Sequence, residues 1–136
     1  MPASRVERLT EAASNIRVSG EYRWVGLYEV GAAEVRMVAY SGPAPPAFPV
    51  FSRHQGLTGE AIRLRAPVIS NDVLTDPRYL TALGSTRSEM IVPILSSSTR
   101  DVIGTIDVES DRVDAFSHAE AEALRLTAAS LEHLFS

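Results

Sequence analysis

The sequence predicts an α+β domain in which a central antiparallel sheet carries the N- and C-terminal helices on one of its faces. Three observations carry that prediction. Helical periodicity is confined to the two ends of the chain, the strand-like runs between them pair as hairpins, and 136 residues suffice for one core but not two.

In the first element, Val6, Leu9, Ala13 and Ile16 recur on one helical face with charged residues elsewhere, so residues 3–18 read as an amphipathic helix followed by Gly20. The runs RWVGLYEV (23–30) and 35–41 are rich in aromatic and β-branched residues. Residues 31–34 join them as a hairpin connection. The stretch GPAPPAFPV (42–50) holds four prolines, which cannot donate to a ladder, and reads as an irregular surface loop. A short helix opens at GLTG (56–59), a short strand follows at 67–70, and 75–79 reads as a turn capped by Asp76 with Arg78 pairing to a nearby acid. Residues 90–95 and 102–108 form a second hairpin. Ser117 and Glu120 then make a capping box for a last helix, 117–135, with Leu124, Ala128, Leu131 and Phe135 as its apolar stripe. No repeat, charge tract or internal linker interrupts the chain, so residues 1–136 are expected to form a single domain.

Composition removes several functions. The net charge is −4, and all 13 basic residues are arginines scattered from Arg5 to Arg125, so no concentrated basic face is expected and nucleic-acid binding is disfavoured. There is no cysteine, which excludes disulfides, thiolate metal sites, thiol nucleophiles and thioether-linked chromophores within these residues. No apolar run approaches the ~20 residues of a membrane span, and the N-terminus lacks a signal-peptide core; a cytoplasmic protein without membrane contact is expected.

Alternation along the strands points to a site. Trp24, Gly26 and Tyr28 share one face and Val25 and Leu27 the other; Asp107 and Glu109 lie opposite Ile106 and Val108. With the aliphatic sets against the helices, the aromatic pair and the carboxylates converge on the free face, and Gly26 leaves room between the rings. Trp24 and Tyr28 can wall an apolar group or a cation, and Glu89, Asp107 and Glu109 can hold an ammonium. That chemistry suits a free amino acid or a small amine. The same alternation also arises when acids simply face water, and Trp24 separates the two readings because a large aromatic on a solvated face needs a reason.

The segments SEMIVPI (88–94), VIGTIDVES (102–110) and AFS (115–117), together with QGLTG (55–59), resemble the GAF domain family over most of the chain from Tyr22 to Phe135. The resemblance implies a PAS-like antiparallel sheet, terminal helices that often dimerise, and a small-molecule pocket on the opposite face. Within the family, WVGLY (24–28) and DVES (107–110) are most similar to the free methionine-(R)-sulfoxide reductases, which implies methionine sulfoxide or a relative as ligand. The cysteines those enzymes use fall at places that here hold Phe48, Thr58 and Ala82, and a hydroxyl such as that of Thr58 is too basic to replace a thiolate.

Other chemistries of the family fit less well. Cyclic-nucleotide binders carry an N-K-F-D-E signature that a lysine-free chain cannot contain, and bilin binders usually need a cysteine. Among histidines only His54 is placed to reach a pocket. A metal set of His54, Asp72, Asp76 and Asp107 lacks ligand spacing, so no metal and no cofactor is expected. The leading expectation is a non-enzymatic sensor domain with no catalytic residue. It binds a small molecule through Trp24, Tyr28, Thr58, Glu89, Asp107 and Glu109 and forms a homodimer through its terminal helices. The alternatives are a reductase-like enzyme that borrows an external reductant and uses Glu89 or Asp107 as general acid, or an interaction module with an empty pocket.

Overall fold

The structure, a computed structural model, describes residues 2–80 and 84–136. The first helix, α1 (Arg5–Gly20), starts at a capping box in which the Ser4 hydroxyl accepts from the Glu7 amide and the Glu7 carboxylate accepts from the Ser4 amide. It runs two residues beyond the expected end because the left-handed residue that stops it is Glu21 (φ 56°), whose amide closes back on the Arg17 and Val18 carbonyls. Strands β1 (Trp24–Val30) and β2 (Glu34–Ser41) form the first hairpin, and β5 (Ser88–Leu95) and β6 (Val102–Ser110) the second. Between them lie β3 (Val50–Ser52), the short helix α2 (Gly56–Leu64), β4 (Val68–Ser70) and one 3-10 turn at Val73–Thr75. The last helix, α3 (His118–Leu131), is capped by Ser117 and Glu120 as expected, and it tightens into a 3-10 turn over Glu132–Leu134 rather than continuing as α-helix to 135.

The strands form one curled, fully antiparallel sheet in the order β3-β2-β1-β6-β5-β4. The strand β3 was not expected, since it begins at Val50, the last residue of the proline-rich stretch. Its pairing with β2 (Val35 with Phe51) ties the end of that loop to the sheet edge, the position at which neighbouring proline is tolerated.

Both terminal helices pack on one face. Leu9, Ala13 and Ile16 of α1 and Ala121, Leu124, Ala128 and Leu131 of α3 join Val25, Leu27, Met90, Val92, Ile94, Ile106 and Val108 of the sheet in the main core. Each helix therefore spends its apolar stripe on its own sheet, apart from Val6, which was expected on that stripe and is 53% exposed.

The opposite face is not free. Leu57 and Ala61 of α2 lie on Val68 and Ile91, and Trp24, Tyr28, Val35, Ile62 and Val102 form a further cluster beside them. Gly59 makes this lid geometry feasible, because a Cβ there would stand 2.6 Å from the backbone carbon of His54. No helix among the described residues is long and apolar enough to cross a membrane.

Candidate functional site

Beneath α2 the sheet presents three acids and no base. Strand register sets Asp107 opposite Gly26 on β1, and Glu109 opposite both Trp24 on β1 and Glu89 on β5. Two carboxylates directly across a ladder repel when both are ionised. These are also withdrawn from water: Glu109 is 0% exposed, Glu89 3% and Asp107 4%. Solvation does not explain the alternation at 107 and 109, since the acids sit in the interior.

The surroundings fix the cluster in place. The Arg87 amide donates to the Ser110 carbonyl and the Ser88 hydroxyl to the Arg112 carbonyl, which anchors the start of β5 beside the end of β6. The Thr86 hydroxyl donates to Glu109 in a short hydrogen bond. One carboxylate oxygen from each of the three acids lies within 4.8 Å of the other two. Among the described residues, no backbone amide or hydroxyl donates to Asp107 Oδ1 or Glu109 Oε2.

Burial pushes the Glu89 carboxyl well above its ordinary value, and the neighbouring Asp107 and Glu109 add to the effect. Glu109 is raised by burial and then by Asp107, against the opposing hydrogen bond from Thr86. Asp107 is pushed up to about 6 by burial, held back by hydrogen bonds from Glu89 and Glu109. Burial and mutual proximity therefore set all three acids against ionising together, and Asp107 is the one raised least. Burial, reinforced by the three acids, also drives the Tyr28 hydroxyl far above its usual range, so that ring stays neutral.

Tyr28, Thr58, Glu89 and Asp107 line one enclosed cavity, completed by Phe48, Phe51, Leu57, Leu80 and Gly56. Its free space of about 20 Å³ holds no more than one water. Phe48, 47% exposed, is the most exposed of its lining residues. Trp24 and Glu109 lie beside this cavity rather than on its wall. Instead of facing a ligand, Trp24 is fully buried, stacks on Tyr40 and donates its indole N–H to the Ala44 carbonyl at 2.9 Å, pinning the proline-rich loop. Gly26 is obligatory beneath it, because a Cβ there would lie 2.3 Å from the Trp24 ring.

Phe51 and Leu80 had no sequence signal. Phe48 drew notice only as one of the places matched to a cysteine; it shares the cavity with Thr58, while Ala82 lies outside the described residues. The set His54, Asp72, Asp76 and Asp107 is not assembled around a common centre. Among the described residues the acids close enough to share a cation are Glu89, Asp107 and Glu109. His54 faces a groove on the other side of α2, and Asp76 and Arg78 pair with each other at 2.7 Å.

A six-stranded antiparallel sheet with terminal helices behind it and a short helix over its other face defines an α+β class. A profile of the GAF domain matches residues 3–135, and the chain belongs to that family. It is similar to the free methionine-R-sulfoxide reductase of Saccharomyces cerevisiae, 28% identical over 106 residues that cover 76% of this chain and 58% of the yeast protein. Among solved structures it superimposes on a type II free methionine-R-sulfoxide reductase from Thermoplasma acidophilum with a TM-score of 0.88 and 26% identity, covering 96% of this chain and 92% of the other. A free methionine-R-sulfoxide reductase from Neisseria meningitidis, solved in complex with its substrate, gives 0.87 and 26%, covering 97% and 78%.

These likenesses overturn the expectation of a non-enzymatic sensor. They point to an enzyme and favour the reductase-like alternative. The absence of cysteine misled the sequence reading for a physical reason: it removes one nucleophile from these residues, but leaves the pocket and its proton-bearing acids in place.

Proposed function

We propose that the chain is a reductase-like enzyme that takes free methionine-(R)-sulfoxide as substrate and draws its reducing electrons from an external thiol. The observation that carries this reading is the buried triad of Glu89, Asp107 and Glu109, of which Glu89 and Asp107 line one cavity with Tyr28 and Thr58, and among the described residues no donor reaches Asp107 Oδ1. A buried acid without a partner is costly. A zwitterionic sulfoxide supplies what the cluster lacks: its ammonium meets the ionised Asp107, and its sulfoxide oxygen accepts from the protonated Glu89. The S-methyl group packs against Tyr28, Phe48 and Phe51.

Protonation by Glu89 makes the sulfoxide sulfur electrophilic, which is the step a raised carboxyl pKa suits. Two thiols then convert the sulfoxide into sulfide, disulfide and water. This reading also fits a cytoplasmic location, where thiols are kept reduced. Incubation with each methionine sulfoxide epimer and dithiothreitol, with methionine formation followed by chromatography, tests it. The (R)-epimer should be consumed selectively, and Glu89→Gln should slow the reaction ~100-fold. Methionine formation no faster than with dithiothreitol alone contradicts it.

A further inference from the structure

On the other side of α2 from the carboxylate cavity lies a larger opening, a groove of about 1110 Å³. Arg53, Arg63, Arg65 and Arg78 line it with two acids, Glu60 and Asp101, so it is locally positive on a chain of net charge −4. Three of these guanidiniums are available. The pair of Arg65 with Asp101 spans 3.7 Å with both side chains more than half exposed, and such pairs hold little in water. Arg63, 67% exposed, pairs with Glu60 one helical turn away, a surface pair that water weakens in the same way. Arg53 donates to the Gly31 carbonyl at 3.2 Å, and among the described residues no carboxylate lies within ion-pair distance of it. Only Arg78 is committed, through its two-pronged hydrogen bonds to Asp76.

The groove and the cavity share Gly56, and Leu80 packs over it, since a Cβ at Gly56 would stand 3.1 Å from the Leu80 Cβ. Nothing in the sulfoxide reaction on the carboxylate side uses a positive groove. What that side lacks is a source of electrons, because the 136 residues contain no thiol. We propose that this groove docks an anionic low-molecular-weight thiol, a peptide thiol of the glutathione kind, with its carboxylates on Arg53, Arg63 and Arg65. Its ammonium has Glu60 and Asp101 to pair with, and its sulfur is set at Gly56, on the rim that groove and cavity share. The inference rests on the reductase reading and names the second substrate.

The step balances. The thiolate attacks the protonated sulfoxide sulfur, an S–S bond forms, and the S–O bond breaks with loss of water. A second thiolate attacks the thiol-derived sulfur of that bond, releasing the thioether and a disulfide. The sulfoxide sulfur gains two electrons, and each thiol sulfur loses one.

S-methylglutathione, which cannot react, separates docking from turnover in a calorimetric titration. It should bind the wild-type protein, and the triple variant Arg53→Gln, Arg63→Gln, Arg65→Gln, whose positions lie outside the core clusters, should bind it at least tenfold more weakly. In turnover, the ratio of kcat/KM for glutathione to that for neutral dithiothreitol should fall at least tenfold in the same variant. No binding of S-methylglutathione, or equal binding by wild type and variant, overturns the docking site even where dithiothreitol supports turnover. Arginine-dependent binding with no turnover by any thiol upholds the docking site and instead overturns the reductase reading.

Discussion

At the scale of single residues the site is a trade of stability for chemistry. Three carboxyls buried in contact bind their protons more tightly in the folded chain than in the unfolded one, where carboxylates titrate near roughly 4. The stability this supplies is therefore complete below that range. It is lost as the pH rises through the folded value, about 6 for Asp107, and further as the raised Glu89 and Glu109 ionise. The melting temperature should fall between pH 5 and pH 8, and Glu109→Gln should flatten that slope; a wild-type profile that rises over the same interval contradicts the burial of protonated acids. Gly26 makes a second residue-scale case. A methyl group there meets the Trp24 and Tyr28 rings at 2.3 to 2.9 Å, so Gly26→Ala should cost about 1–3 kcal/mol in urea denaturation, whereas an unchanged midpoint would show that the rings give way freely.

At the scale of elements, what was legible followed from periodicity and capping. Leu9, Ala13 and Ile16 marked the buried stripe of α1, and the Ser117 and Glu120 box marked the start of α3 because a cap is a local, side-chain-encoded structure. Ser117→Ala should destabilise the fold by about 1 kcal/mol, measured by thermal or urea unfolding. Alternation likewise placed Trp24, Tyr28, Asp107 and Glu109 on one face and Val25, Leu27, Ile106 and Val108 on the other, as the strands have them. The strand β3 escaped because its pairing with β2 is a non-local contact at an edge, and prolines just before it mask its short apolar run. The closing of the second face by α2 escaped for the same reason. Nothing in QGLTG states which way the helix lies, although Gly59 is what lets it approach His54. Trp24 was rightly singled out as needing a reason, but the reason is the Ala44 carbonyl and the Tyr40 ring rather than the cavity wall. Trp24→Phe, which keeps the stacking and removes the indole N–H, should loosen residues 42–49 in hydrogen exchange while leaving the β1–β6 amides protected; unchanged exchange in that loop would deny Trp24 its anchoring role.

At the scale of the whole molecule, the fold divides labour between its two faces. The helix-backed face supplies the main core, and the α2-covered face concentrates the groups that titrate. The inner stripes of α1 and α3 are used on the sheet, so the proposed homodimer through the terminal helices has to use their outward faces. Those faces expose Val6, Val18 and Leu126. Val18→Glu combined with Leu126→Glu should convert such a dimer to monomer in sedimentation, and a monomeric wild-type protein would discard that arrangement. Function was less legible than fold because the two rest on different kinds of evidence. A missing nucleophile is conspicuous in a sequence, whereas acids kept protonated by burial become visible only once strand register and the covering helix are known.

The most direct test of the central claim is a calorimetric titration of the wild-type protein and Asp107→Asn with the two epimers of free methionine sulfoxide at a pH below the Asp107 value of about 6, in two buffers of different ionisation enthalpy. An ammonium entering the cluster favours ionised carboxyls, so binding should release protons and the apparent enthalpy should differ between buffers. The account predicts that the (R)-epimer binds with proton release, the (S)-epimer at least tenfold more weakly, and Asp107→Asn neither. Equal binding of both epimers without proton release, or no binding of either, would contradict it.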